Sequence, residues 1–84
     1  MRKHRLLEKA RSGSKNIRFA DIVRLAEAFG FRESRVNGSH HIFVHQGLRE
    51  LVNLQNVRGK AKPYQIRQFL QLVERYNLKL EESQ

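Results

Sequence analysis

The chain has 84 residues, with 17 Lys and Arg against 8 Asp and Glu, a formal net charge of +9, and no cysteine. This length allows one small domain over residues 1–84, and the lack of cysteine excludes disulfides and thiolate metal sites. No apolar run approaches the roughly 18 residues that span a bilayer, and no signal peptide is expected, so we predict a cytoplasmic protein. The charge favours a polyanionic partner, first of all nucleic acid, with an anionic membrane or an acidic protein as alternatives.

Two helices are predicted in the first part of the chain. Arg2–Arg11 is short and very basic, and the turn residues of Ser12-Gly13-Ser14 end it. Phe19–Phe29 has apolar residues at the spacing of one helix face, and Gly30 is expected as its left-handed C-terminal cap. Residues 1–15 are therefore interpreted as a basic N-terminal helix and turn, 16–80 as the core, and 81–84 as a frayed tail.

Three strands and a last helix complete the prediction. The strands are Phe31–Val36, His40–His45 and Glu50–Gln55, with turns predicted at Asn37-Gly38 and Gln46-Gly47. Val57–Lys62 is predicted as a basic loop, and Pro63 as the first turn of a helix that runs to about Tyr76. This order predicts an α+β domain in which two helices cover one face of a three-stranded antiparallel sheet, after an extra N-terminal helix.

The run from Asn37 to His45 places His40 and His41 directly after a Gly-Ser turn, at the head of the second strand. Histidine can act as a general acid or base because its unperturbed pKa of about 6.5 lies near working pH. In RNA cleavage without a metal, a base removes the 2′-hydroxyl proton and the alkoxide attacks the adjacent phosphate. An acid then protonates the leaving 5′-oxygen. His40 is our candidate for one of these roles, and the alternative is a surface histidine without a function.

Strand geometry separates the histidines. His40 and His41 point to opposite faces, whereas His41 and His45 share a face but lie roughly 13 Å apart along the strand. This distance is too long for two ligands of one zinc ion, whose bonds to nitrogen are about 2.0–2.1 Å, so we predict no metal and no cofactor. If Ile42 and Val44 point inward, His40 avoids burial only as the first residue of the strand, and we favour that arrangement.

The residues expected to bind RNA are Gly38, Ser39, Arg35, Arg58, Lys60 and Lys62. Gly38 would let the backbone approach a phosphate and Ser39 would orient the ligand or His40, although both can simply form the turn. The three cations between residues 58 and 62 precede a helix N-terminus, where lysines and backbone N–H groups suit a phosphate. The alternative for them is a solvated loop.

The motif Gly38-Ser39-His40-His41-Ile42-Phe43, after a helix that ends in Ala28-Phe29-Gly30-Phe31, resembles the HicA toxins, also called YcfA-like mRNA interferases. The segment Lys60–Leu70 looks like the closing helix of one branch of that family, and the resemblance covers about Leu6 to Leu80. It implies a fold similar to double-stranded-RNA-binding domains, α-β-β-β-α. It also implies a toxin that cleaves mRNA, that a HicB antitoxin neutralises, and whose catalytic histidine is that of the Gly-Ser-His motif, here His40.

Many family members carry Pro-Arg-His or a similar run at the third strand, where this chain has Asn53-Leu54-Gln55-Asn56. The predicted function is therefore a metal-independent endoribonuclease with a single histidine, with mRNA and a HicB-like antitoxin as partners. Two alternatives stay open. One is an RNA-binding module without catalysis, and the other is a protein–protein module whose basic face binds an acidic antitoxin.

Overall fold

The computed structural model describes residues 3–80. The helices are α1 (Lys3–Arg11), α2 (Phe19–Ala28) and α3 (Pro63–Arg75), and the strands are β1 (Arg32–Asn37), β2 (His40–Val44), β3 (Val52–Val57) and β4 (Lys60–Ala61). The predicted α+β class is confirmed, with a short fourth strand added to the three predicted ones. Arg2 of the predicted first helix and the predicted frayed tail lie outside the described residues. No helix within residues 3–80 is long and apolar enough to cross a membrane.

Helices α2 and α3 pack on the sheet, and α1 packs against both of them. Each helix has an apolar stripe at helical spacing, which is what a helix with one covered face requires. In α2, Ile22 and Leu25 are each only 1 % exposed, and in α3 Phe69 is completely buried. Gly30 follows α2 with a φ of 96°, as expected of a left-handed cap.

The four strands form one antiparallel sheet in the order β1-β2-β3-β4. The face that the helices cover contributes Phe43, Val52 and Leu54 to the hydrophobic core. Phe69 of α3 meets the rings of Phe29 and Phe31 edge-on, at centroid distances of 5.9 and 5.6 Å. Among residues 3–80, no helix covers the other face of the sheet, and this helix-free face holds the site described below.

The first hairpin turns at Gly38-Ser39 rather than at the predicted Asn37-Gly38. Asn37 pairs with His40 and is therefore the last residue of β1. Gly38 has a φ of 64°, while Ser39 is not among the residues with positive φ. A glycine with positive φ at the first of two turn positions is typical of a type II′ hairpin. His40 thus begins β2 immediately after the turn.

The segment predicted as a basic loop, Val57–Lys62, contains a second hairpin. Val57 pairs with Lys60 across a turn formed by Arg58 and Gly59, which have φ values of 54° and 86°. Two consecutive positive φ angles are typical of a type I′ turn, in which Asn-Gly or Asp-Gly is the usual sequence. An arginine in this conformation is uncommon, so the sequence does not indicate the turn. The third strand also ends two residues later than predicted.

Candidate active site

His40 lies on the helix-free face of the sheet and is exposed. The expectation that Ile42 and Val44 point inward is wrong, because both share the face of His40 and neither belongs to the core cluster. The inward residue is Phe43, whose ring is completely buried. His40 is accessible because its whole face of β2 lacks a covering helix, and not only because it begins the strand.

A shallow depression surrounds His40 on this face. It is lined by Arg35, Val36, Asn37, His40, Ile42 and Asn53. These residues come from three adjacent strands, since Arg35 pairs with Ile42 and Ile42 pairs with Asn53. The depression therefore combines an imidazole, a guanidinium and amides on an apolar floor.

Asn53 of β3 contacts the imidazole of His40. Its Oδ1 lies 3.3 Å from Nδ1 of His40. The contact follows from the strand register, because His40 pairs with Gln55, and Asn53 is the diagonal neighbour on the same face. Asn53 begins the segment in which many members of the similar family carry a histidine. The sequence prediction named this segment only as a departure from the family and did not place Asn53 in the site.

His41 of β2 and His45, the residue after β2, both have structural partners. Nδ1 of His41 lies 2.5 Å from Oε2 of Glu33, and its ring packs on Phe19 with centroids 4.6 Å apart. Nδ1 of His45 accepts the N–H of Gly47 at 3.0 Å. The predicted separation of His40 and His41 onto opposite faces is therefore correct, and His40 is the histidine of β2 that faces the depression.

The predicted cations occupy different positions relative to His40. Arg35 lines the depression, whereas Arg58 and Lys60 belong to the second hairpin. The two hairpins meet at one end of the sheet, where the backbone N–H of Asn56 donates to the carbonyl of Ser39 at 2.9 Å. This end of the sheet therefore carries Gly38, Ser39, Arg58 and Lys60 close to the first residue of β2.

Lys62 is less closely associated with the site. It is the residue before α3 and does not line the depression. Arg18, which the sequence prediction missed, pairs with Lys60 in an isolated bridge, and the ammonium of Lys60 donates to Oδ1 of Asn16. The loop before α2 thus adds Arg18 to the cations of the second hairpin. Arg18 and Lys60 are more than 40 residues apart in the sequence, so no local pattern could predict that they pair.

Within residues 3–80, no group of three or more His, Cys, Asp or Glu side chains is placed to hold a metal ion. The depression around His40 offers one imidazole and the amide oxygens of Asn37 and Asn53. Arg35 lines the same depression. Together, these side chains can exchange a proton at the imidazole and bind an anion at the guanidinium.

The fold and the site together define a small, basic α+β domain with an exposed histidine on the helix-free face of its sheet. The family model described as the HicA toxin of bacterial toxin–antitoxin systems matches residues 19–74, which is more than half of the chain. The chain therefore belongs to the HicA toxin family, as the sequence resemblance predicts. It is the toxin of a toxin–antitoxin system, and such a toxin has a cognate antitoxin as its partner.

Comparisons with curated proteins and with solved structures gave no match. The matched range begins with α2 and ends one residue before the end of α3, so it includes the whole sheet, all of α2 and all of α3 except Arg75. Helix α1 precedes the matched range.

Proposed function

We propose that this toxin is a cytoplasmic endoribonuclease that cleaves mRNA without a metal, uses His40 as its single catalytic histidine, and is neutralised by a HicB-type antitoxin. The observation that carries the proposal is the position of His40, exposed in a depression that also contains Arg35. An imidazole and a guanidinium that line the same depression, on a chain of net charge +9, suit a reaction at a phosphodiester.

The chemistry requires a proton transfer and the stabilisation of negative charge. His40 either accepts the 2′-hydroxyl proton of the RNA or donates a proton to the leaving 5′-oxygen. The 2′-oxygen forms a bond to phosphorus as the bond from phosphorus to the 5′-oxygen breaks, which leaves a 2′,3′-cyclic phosphate and a 5′-hydroxyl. The guanidinium of Arg35 would stabilise the charge that builds on the phosphate oxygens.

The basic end of the sheet would hold the RNA backbone. Gly38 and Ser39 adjoin His40, and the second hairpin adds Arg58 and Lys60. Contacts to phosphate position a strand without reading its bases, so these residues support binding and not sequence preference. Lys62 would add long-range attraction from the start of α3.

Substitution of His40 tests the catalytic proposal. We expect His40→Gln to lower the rate of RNA cleavage by about 100-fold or more, which is the lower limit for loss of a general acid or base, and to abolish growth arrest. The measurement is a gel assay with purified toxin and mRNA, alongside circular dichroism to verify folding. Gln71→Ala, on the exposed side of α3, is the control and should cleave at the normal rate. A folded His40→Gln protein that cleaves normally would refute the assignment.

The substrate tests the proposed reaction independently of any substitution. An RNA with a single 2′-deoxy residue at a mapped cleavage position should resist cleavage at that position and be cut elsewhere, because it lacks the attacking hydroxyl. Cleavage should persist in EDTA. Salt-sensitive retention of intact RNA, without fragments at any enzyme concentration, would instead identify a binding module without catalysis.

A further inference from the structure

We propose that Asn53 is a positioning residue that holds the proton of neutral His40 on Nδ1, so that Nε2 presents its lone pair to the depression as the general base. This inference rests on the proposed function for its consequence in catalysis, but the tautomer itself can be measured without activity. It specifies which ring nitrogen faces the substrate when His40 acts as the base.

The contact carries the inference. Oδ1 of Asn53 lies 3.3 Å from Nδ1 of His40, and an amide oxygen can only accept a hydrogen bond. Nδ1 must then carry the hydrogen, and in a neutral imidazole the other nitrogen is the acceptor. The partner of one ring nitrogen thereby determines the function of the other, as in other histidine sites.

The sheet keeps the two side chains in register. His40 pairs with Gln55 and Ile42 with Asn53, so both side chains extend from adjacent, hydrogen-bonded strands on the same face. The two neighbours of Asn53 in β3, Val52 and Leu54, point into the core and are 4 % and 0 % exposed, so they fix the position of the strand. A group supported by a buried strand holds its partner more accurately than one on a loop.

An amide suits this position because it orients the ring without adding charge. The charged group lining the depression is Arg35 of β1, while β3 supplies the uncharged Asn53 and β2 adds Ile42 beside His40. A carboxylate at position 53 would also accept from Nδ1, but it would favour the imidazolium form, which cannot act as a base.

In the proposed step, the proton of the 2′-hydroxyl moves to Nε2 of His40 as the 2′-oxygen bonds to phosphorus. The bond from phosphorus to the 5′-oxygen breaks, and the 5′-oxygen takes a proton from water. The imidazolium then releases its Nε2 proton to solvent, and Nδ1 keeps its own proton throughout.

The test is the tautomer of His40, read from the ¹⁵N shifts of its ring at a pH where it is neutral. We expect an Nδ1–H ring in the natural protein and in Asn53→Asp, and a shift of the population toward Nε2–H in Asn53→Ala. Gln71→Ala, which removes an amide side chain on the exposed side of α3, is the control and should leave the tautomer unchanged. An Nε2–H ring in the natural protein, or no change in Asn53→Ala, would overturn the inference.

Cleavage rates supply the second measurement. In Asn53→Ala we expect kcat to fall about two- to twelvefold with little change in KM, because one ordinary hydrogen bond changes the tautomer ratio by about that factor. In Asn53→Asp the acidic limb of the pH–rate profile should move to higher pH. If kcat is unchanged in Asn53→Ala although the tautomer shifts, the general-base role is overturned. If the tautomers behave as expected and the natural protein cuts no RNA, the hydrogen bond is supported and the proposed function is wrong.

Discussion

The role of each histidine depends on which face of β2 its side chain occupies. Neighbouring residues 40 and 41 differ in this way, and the structure gives His41 a carboxylate and an aromatic ring as partners, while His40 faces solvent beside Asn53. The alternation of side chains along a strand predicts that His40 and His41 point to opposite faces of the sheet. It does not predict which of them is covered, because apolar side chains occupy both faces: Phe43 on one, and Ile42 and Val44 on the other.

A second cluster at the residue scale joins the end of α3 to the chain before β3. The hydroxyl of Tyr76 donates to both carboxylate oxygens of Glu50, at 2.8 and 2.7 Å, and Arg75 lies 3.6 Å from the same group. The hydrogen bond from Tyr76 is the main reason that the pKa of Glu50 is lowered from its ordinary value of 4.5. The same bond raises the pKa of Tyr76 above 10.0.

These two shifts predict how the cluster's stabilisation depends on pH. The lowered pKa of Glu50 stabilises the fold above about pH 4.5, and this is lost as the pH falls through the folded-state value. The raised pKa of Tyr76 stabilises the fold below about pH 10.0, and this is lost as the pH rises through the folded-state value. Tyr76→Phe should therefore lower the Tm slightly near neutral pH, and the difference from the natural protein should narrow at both extremes.

Thermal unfolding between about pH 3 and pH 11 measures this difference, because this range includes the ordinary pKa values of both groups. Tyr64→Phe is the matched control, since Tyr64 is also exposed, at 49 %. We expect no such profile for that variant. A Tyr76→Phe curve that runs parallel to that of the natural protein at every pH would contradict the assigned role of the cluster.

At the scale of elements, α3 does more than cover the sheet. Gln65 of α3 is a polar residue that is only 3 % exposed, and its Oε1 accepts the backbone N–H of Gln55 at 2.7 Å. β4 pairs only with Asn56 and Val57, so the rest of that edge of β3 needs another partner. Helical spacing could not identify this role, because it depends on how far the short β4 extends along β3.

Replacement of this amide tests the contact between the helix and the edge of β3. Gln65→Ala leaves the N–H of Gln55 without its partner in a partly buried position, and the loss of such a hydrogen bond typically costs about 0.5–1.5 kcal/mol. Urea unfolding should show this loss, whereas Gln71→Ala, an equal truncation on the exposed side of α3, should change the free energy of unfolding by less than about 0.5 kcal/mol. Equal effects of the two substitutions would show that the bond contributes nothing to stability.

At the scale of the whole molecule, the helices occupy one face of the sheet and leave the other open. Cations from segments far apart in sequence lie near the end of the sheet where the two hairpins meet. They are Arg35 of β1, Arg18 before α2, and Arg58 and Lys60 of the second hairpin. Such a concentration of charge would guide and hold a polyanion, and each phosphate contact makes binding more sensitive to salt.

Salt dependence of RNA binding tests this arrangement, with His40→Gln as the background so that the RNA stays intact. Arg58→Asn removes one cation while keeping a residue that tolerates positive φ. It should reduce the slope of log K against log salt by about 0.7, the contribution of one phosphate on a single strand. Arg67→Gln removes the same charge from the exposed side of α3 and should leave the slope unchanged. An unchanged slope in Arg58→Asn would mean that RNA does not cross the second hairpin.

The sequence by itself determined the elements whose signals are local. Helical spacing and Pro63 predicted α2 and α3, positive-φ residues predicted the first hairpin to within one residue, and the Gly-Ser-His run indicated both His40 and the family. Only the tertiary structure decided which face of β2 is covered, because burial depends on α2, α3 and the partners of the strand. It also decided that Asn53 contacts His40, since this contact joins residues 13 apart through the register of two strands.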